Sequence, residues 1–141
     1  MSIQRSYHIE APVEKVFGFF SNPDEWKELG LMDVHDIHKT QDGVGTHFEW
    51  DMKVAGLRFH AFDVLTDVVP NKHITERSSV SMFGKWDYDF EPEGTGTKVT
   101  FTIQPQSFWR IPPLEKLVGM GIARMGETTV PRFRQKLEAV A

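Results

Sequence analysis

The sequence contains no cysteine, which excludes disulfide bonds, thiolate nucleophiles and cysteine-ligated metals. It also has no excess of basic residues, because 16 Lys and Arg stand against 20 Asp and Glu and the net charge is −4 at pH 7. Phosphate binding needs a basic surface, so we expect no nucleic acid partner. No apolar stretch approaches the roughly 18 residues that span a bilayer, which predicts no integral membrane segment.

Targeting signals and cofactor motifs are absent as well. Residues 1–6, MSIQRS, lack the apolar run of a signal peptide, and we therefore expect a cytoplasmic protein. There is no phosphate-binding loop, dinucleotide fingerprint or nucleophile elbow, so we expect no cofactor. No linker, repeat or low-complexity stretch interrupts residues 1–141, which predicts a single domain.

Aromatic residues, by contrast, are abundant, with eleven Phe and four Trp. Many of them follow the period of two that is typical of β-strands. Residues 3–9 show this period, and turn signals divide residues 32–105 into about six further segments. Trp50, Trp86 and Tyr88 each alternate with polar neighbours. One apolar face and one polar face predict an antiparallel sheet that is covered on one side only.

Three segments have helical signals. Pro12 opens one short helix, and Asn22 can cap a second whose first turn contains Pro23. From residue 112 to the C-terminus, apolar and small residues recur at intervals of three and four, which predicts a long helix that covers the sheet. Pro131 should kink this helix. Its predicted inward stripe consists of Leu114, Leu117, Val118, Gly121, Met125, Thr129, Phe133, Leu137 and Val140.

The order of these elements, and two motifs, resemble the START-like (SRPBCC) superfamily of polyketide cyclase/dehydrase and lipid-transport-like proteins. The motifs are HIEAPVEKVF at 8–17 with NPDEW at 22–26, and YDFEP at 88–92 with GTKVT at 96–100. The resemblance implies an α+β helix-grip fold, in which a curved antiparallel sheet of about seven strands wraps around the long C-terminal α-helix. It implies an internal apolar cavity but no particular reaction, since fold does not fix function.

We expect the wall of this cavity to combine large rings on the sheet with small residues on the helix. Gly121 and a kink at Pro131 would leave volume that a close-packed core would fill. The alternatives are plain core packing for the rings and close helix-to-sheet packing for the glycines. The predicted ligand-binding residues are Trp50, Met52, Trp86, Tyr88, Leu117, Val118, Gly121, Met125 and Thr129.

The candidate catalytic residues are Glu76, His60 and Tyr88. The apolar register of its strand turns Glu76 inward, where loss of water would raise its pKa and suit it to donate a proton. An edge position, or a pair with an arginine, is the alternative. Two registers compete on the strand of His60: one turns Ala61 and Leu65 inward, and the other, which has more apolar residues, turns His60 inward. We favour the second.

Two further features have a less specific meaning. His35 and His38 are three residues apart, which places them on opposite faces of a strand, so we interpret them as surface histidines and predict no metal site. Residues 107–114, SFWRIPPL, are unusually apolar for a connection between a strand and a helix. This segment either gates the cavity, docks a partner or caps the core.

The sequence favours a binding module, a carrier or sensor for a small apolar ligand that is lipid-like or polycyclic. The first alternative is a cyclase or dehydratase without metal or nucleotide cofactor, acting on a polyketide-like or aromatic substrate in the same cavity. The second is a protein-interaction domain that uses exposed aromatics. A homodimer is possible in each case. An enzyme requires two titratable groups that converge in the cavity, whereas an interaction domain requires an exposed apolar patch.

Overall fold

A computed structural model of the chain describes residues 2–30, 33–54, 56–79, 84–104, 127 and 129–139, without the side chains of Met52, Val54, Leu57 and Phe59. The strands of this part are β1 (Ile3–Ile9), β2 (Asp33–His38), β3 (His47–Val54), β4 (Leu57–Val69), β5 (His73–Ser78), β6 (Lys85–Glu93) and β7 (Gly96–Gln104). The helices are α1 (Val13–Phe20) and α2 (Pro23–Leu29), together with α3 (129–137) near the C-terminus. Among these residues, no helix is both long enough and apolar enough to cross a membrane.

The strands form one antiparallel sheet in the order β1-β7-β6-β5-β4-β3-β2. Strands β2 to β7 are each hydrogen-bonded to the next along the chain, and β1 closes the order beside β7. The register shifts between His35 and His38 in β2 and between Leu65 and Asp67 in β4. Such bulges bend a strand and change the face to which its later side chains point. We call the side of the sheet that packs against the helices the inner face, and the other the outer face.

The helices contribute aromatic rings to the core on the inner face. Asn22 accepts a hydrogen bond from the Asp24 amide at 3.2 Å and so caps α2, which ends at Gly30 in the left-handed conformation. Buried positions recur at helical spacing on α1 and, in α3, at Val130, Phe133 and Leu137. The rings of Phe19, Phe20, Trp26 and Phe133 lie 5.1–6.2 Å apart between centroids. This spacing is that of a close-packed aromatic core.

The predicted α+β helix-grip architecture is confirmed, with seven described strands, two helices after the first strand and a helix near the C-terminus. The prediction that the last helix begins near residue 112 concerns residues outside the described part of the chain. The same is true of the segment 107–114 and of Leu117, Val118, Gly121 and Met125.

The register predicted for β4 is wrong. Ala61 and Leu65 are buried at 0% and 2% exposure, whereas Phe62 is 45% exposed on the outer face. Counting apolar residues along β4 favoured the opposite register because the bulge after Leu65 changes the face of the residues beyond it. Val68 therefore packs against the same core as Leu65, although it is an odd number of residues away. His60 consequently lies on the outer face.

Candidate functional site

Three polar side chains meet on the inner face, and we call them the acidic cluster: Asp63 on β4, Glu76 on β5 and Tyr88 on β6. The three strands are neighbours in the middle of the sheet. Alternation along each strand turns these residues toward the core, together with Leu65, which pairs with Glu76 across the strands. Asp63, Glu76 and Tyr88 are 3%, 6% and 2% exposed. The cluster is therefore a polar group within a largely apolar layer, with the buried Ser78 across from Asp63.

The contacts within the acidic cluster leave one acceptor without a partner. The Tyr88 hydroxyl donates a hydrogen bond to Glu76 Oε1 at 3.2 Å. Glu76 also has a side-chain hydrogen bond with Asp63, whose Oδ1 atom is buried and accepts none. Leaving a buried polar atom unsatisfied costs about 1–3 kcal/mol, and native proteins contain few such atoms. The cluster thus presents an unused acceptor in the interior.

The cluster favours the protonated form of its central carboxyl group. Burial raises the pKa of Glu76 well above its ordinary value, and the hydrogen bond and charge of Asp63 raise it further. The Tyr88 hydroxyl acts in the opposite direction by donating to Glu76. Burial also raises the pKa of Tyr88, with a further contribution from the charges of Glu76 and Asp63. None of these described groups is a cation, and Arg77, the neighbour considered as an ion-pair partner of Glu76, is exposed.

This arrangement has two chemical uses. A carboxyl group that also contacts a tyrosine hydroxyl can donate a proton to a substrate, because a raised pKa keeps the proton on it at pH values at which an exposed glutamate has lost its own. The same groups can bind a polar group of a ligand without reacting, since a carboxyl and a hydroxyl each offer both a donor and an acceptor. In both cases Glu76 and Tyr88 have to contact the molecule.

The aromatic side chains predicted to line the cavity all belong to the inner face. The Tyr88 ring lies 5.6 Å from the Phe20 ring and 5.5 Å from the Phe101 ring, so it is also part of the core. Trp50 is buried in a second group of core residues, and the half-buried Trp86 packs against both groups. Thr129 is half-buried on α3. The side chain of Met52 lies outside the described part, as do four helix residues predicted for the same cavity, Leu117, Val118, Gly121 and Met125.

His60 does not belong to this site. Its side chain is 54% exposed on the outer face, where its ring nitrogens lie 2.7 Å from Asp51 Oδ1 and 3.0 Å from Glu49 Oε1. The prediction that it faces the interior as a catalytic group is therefore wrong, because the register of β4 turns it outward.

Asp63 was missed by the sequence analysis, although a signal for it exists. The register that turns Ala61 and Leu65 inward also turns Asp63 inward, between them. A single charged residue in the middle of a buried apolar alternation is uncommon, because an unpaired carboxylate is costly to bury. Once the correct register is chosen, that position identifies Asp63 as a candidate site residue.

A groove of about 680 Å³ lies elsewhere on the molecule, at one end of the sheet. It is lined by Val13 of α1, by Lys72 and by Phe90 and Pro92 of β6, among others. None of the predicted site residues is part of its lining, so it does not extend the acidic cluster.

Comparison with known proteins identifies the fold and the family. A profile of the family described as polyketide cyclase / dehydrase and lipid transport matches residues 1–141. This match, with the similar structures below, confirms the predicted resemblance to the START-like superfamily. No curated protein is significantly similar in sequence.

Several solved structures are similar in fold at low sequence identity. Protein Ms6760 from Mycobacterium smegmatis has a TM-score of 0.74 and 14% identity, over 97% of this chain and 90% of that one. TTHA0849 from Thermus thermophilus has a TM-score of 0.71 and 20% identity, over 97% of each chain. The di-domain ARO/CYC BexL from the BE-7585A biosynthetic pathway has a TM-score of 0.76 and 15% identity, over 100% of this chain and 51% of that one. These similarities show the helix-grip fold.

Proposed function

Because the chain belongs to the family of polyketide cyclase/dehydrase and lipid-transport proteins, we propose that it binds a small, largely apolar molecule between the inner face of the sheet and the C-terminal helix. The acidic cluster anchors a polar group of that molecule. The ligand's apolar body contacts the aromatic side chains of the inner face, among them Trp50 and Trp86. Family membership supports a ligand-binding or cyclase role, and the chemistry of the ligand is our extension of that role.

The unpartnered Oδ1 atom of Asp63 is the observation that carries this proposal. A folding core gains nothing from two carboxyl groups side by side, because burial and their mutual repulsion both raise the pKa of Glu76 and disfavour its ionisation. A ligand that donates a hydrogen bond, through a hydroxyl, amide or ammonium group, would satisfy Asp63 and recover part of this cost. Small-molecule sites commonly place a few convergent polar groups in apolar walls in this way.

Native mass spectrometry of the purified protein, followed by displacement of an apolar fluorescent dye, tests the proposal. We expect a co-purified molecule of low mass, or saturable dye binding, and weaker binding by Asp63→Asn of any ligand that donates to Oδ1. Asp67→Asn, on the exposed side of the same strand, is the matched control and should bind as the wild type does. Absence of both a co-purified molecule and saturable dye binding would contradict the proposal, as would equal affinity of Asp63→Asn.

A second candidate function is acid–base catalysis in a ring-closing or dehydrating reaction. The hydrogen bond between Tyr88 and Glu76, together with the raised pKa of Glu76, favours it. A neutral acid in this position would protonate a carbonyl oxygen during ring closure, or a hydroxyl group as it leaves as water. Turnover of a polyketide-like substrate separates the two functions. In an enzyme, Glu76→Gln should lower kcat by ~10²–10⁴-fold, whereas in a carrier only affinity changes.

A further inference from the structure

We propose that the outer face of β2, β3 and β4 binds one divalent transition-metal ion of the zinc type through His35, Asp51 and His60. The proposed metal site lies on the opposite side of the sheet from the acidic cluster and does not depend on the function proposed for it. One ligand comes from each of three neighbouring strands. Imidazole nitrogens and a carboxylate oxygen are ligands that zinc and related ions prefer.

The three side chains already have their ligand atoms close together. Each offers one atom to a set that lies within 4.8 Å of one another. His35 Nε2 is 2.9 Å from Asp51 Oδ2, and His60 Nδ1 is 2.7 Å from Asp51 Oδ1. Donors bound tetrahedrally to one zinc ion at about 2.0–2.2 Å are about 3.3–3.6 Å apart, so the widest separation in this set has to shrink by about 1 Å. Small side-chain rotations on a rigid sheet are therefore enough to close the site around an ion.

The second nitrogen of each imidazole has a different carboxylate partner. His35 Nδ1 lies 2.7 Å from Asp36 Oδ2, and His60 Nε2 lies 3.0 Å from Glu49 Oε1. Histidines that bind metals usually donate their other ring N–H to a carboxylate or carbonyl, which fixes the tautomer and the orientation of the ring. In both histidines, one ring nitrogen thus lies near Asp51, where the ion would bind, and the other is hydrogen-bonded to a second carboxylate.

The bulge in β2 explains how Asp36 reaches the ring of its own neighbour. In a regular strand, adjacent side chains point to opposite faces. Asp36 has a φ of 52°, in the left-handed region that aspartate tolerates better than most residues, and the register shifts between His35 and His38. This local conformation brings the Asp36 carboxylate to the same side as His35. Without the bulge, the Nδ1 atom of His35 would lack the Asp36 carboxylate as its partner.

Titration of metal-free wild-type protein with Zn²⁺ alone, by isothermal calorimetry, tests the site directly. We expect one ion per chain. Alanine substitution of either histidine, His35→Ala or His60→Ala, should raise the Kd by at least ~10-fold, and Asp36→Asn, which alters only the supporting carboxylate, by ~10-fold. His8→Ala is the matched control, because His8 also lies between two carboxylates, at 2.7 and 2.8 Å, but outside this cluster. Its affinity should equal that of the wild type.

Histidine side-chain NMR of the wild-type protein gives a measurement that does not depend on the folding of a variant. Zn²⁺ should shift the imidazole signals of His35 and His60 and leave those of His8 and His73 in place. Lack of saturable binding overturns the proposal. So does binding that survives both alanine substitutions, or that shifts the stacked pair His38 and His47 in place of His35 and His60.

Discussion

Two glutamates of this protein have opposite pKa shifts. Glu76 lies on the inner face, where burial, followed by the hydrogen bond and charge of Asp63, raises its pKa well above the ordinary value. Glu10, which follows β1 and is exposed, has a lowered pKa because His8 and Thr95 donate hydrogen bonds to it. The difference comes from the partners that each position offers as well as from burial.

The same contrast holds for the two faces as a whole. Carboxylates of the outer face are paired with histidines, as in Asp51 with His60 and Asp89 with His73. On the inner face, the central carboxyl has another acid and a tyrosine as its partners. Pairing with a histidine supports folding, whereas a carboxyl held beside another acid opposes it. A contribution to folding does not explain the acidic cluster, which is our reason for assigning the cluster a function.

The largest difference between the two faces is expected when a new carboxylate is placed on each face of β4. Leu65→Asp buries a charge beside Glu76, and we expect a loss of more than ~4 kcal/mol in the free energy of unfolding, because no cation among the described residues faces that position. Phe62→Asp, three residues earlier and exposed, should change it by less than ~0.5 kcal/mol. Urea unfolding monitored by circular dichroism measures both. Comparable stability of the two variants would mean that the inner face accepts charge generally, and that the acidic cluster is not exceptional.

The second prediction removes the acid at the centre of the cluster. Glu76→Gln keeps the shape of the side chain but cannot ionise, and at pH 8 we expect a gain of ~1–3 kcal/mol in the free energy of unfolding. The folded-state pKa of Glu76 is raised above its ordinary value of 4.5. The wild type therefore loses stability as pH rises from 4.5 through the folded-state pKa. The variant lacks this loss, so its advantage should be smaller at pH 5 than at pH 8.

Thermal melts of wild type and Glu76→Gln at pH 5 and pH 8 measure this difference. A variant that is less stable than the wild type at pH 8 would mean that ionised Glu76 supports the fold. That result would remove the argument for a carboxyl group kept at a cost in stability.

The third prediction concerns the hydroxyl group of the cluster. Tyr88→Phe keeps the ring in the aromatic core and removes only the donor to Glu76 Oε1. We expect a loss of ~0.5–1.5 kcal/mol, and a smaller loss in the background of Glu76→Gln, because the amide can donate and depends less on an external donor. Tyr7→Phe is the control, since Tyr7 packs against Phe101 but is not in the cluster. A double-mutant cycle in urea gives the coupling between positions 76 and 88, and a coupling of zero would contradict a functional pair.

Local patterns in the sequence predicted the architecture and part of the cluster. Alternation identified the strands, and Pro12 and Asn22 marked the helix starts, because these signals depend on near neighbours only. The inward orientation of Glu76 and Tyr88 followed from the same alternation and is confirmed by their burial. Their role stays a prediction.

The missed features depend on neighbouring strands or on irregular backbone. The bulge after Leu65 changes the face of the later residues of β4, so counting apolar residues along the strand favoured the wrong register. That register predicted His60 on the inner face and Asp63 on the outer face. The spacing of His35 and His38 predicted opposite faces of a regular strand, and that prediction is wrong, because the register shift between them turns both histidines to the outer face. The other members of the cluster around His35 come from β3 and β4. Cross-strand register decides such contacts, and one sequence contains little information about it.

The smallest expected effect is at His8, which contacts the carboxylates of both Glu10 and Glu93. The Glu10 and Glu93 carboxylates raise the pKa of His8 above 6.5, and His8, followed by Thr95, lowers the pKa of Glu10 below 4.5. The contribution of His8 to stability is complete below pH 6.5 and is lost as pH rises through its folded-state pKa. The contribution of Glu10 to stability is present above pH 4.5 and is lost as pH falls through the folded-state pKa of Glu10. The contacts of His8 with the two glutamates therefore stabilise the folded protein most between pH 4.5 and pH 6.5.

His8→Gln should accordingly melt at a lower temperature than the wild type near pH 5.5, and the gap should close by pH 9. The effect is the smallest of the four because exposed ion pairs are screened by solvent. Thr95→Val is the control: it removes a neutral hydroxyl from Glu10, so any deficit should stay constant wherever Glu10 is ionised. A His8→Gln deficit of equal size at pH 5.5 and pH 9 would mean that His8 acts as a neutral partner. The carboxylates near His8 would then be stabilised by neutral hydrogen bonds alone. Burial, and not the charge of the partner side chains, would explain why carboxyl groups behave differently on the two faces.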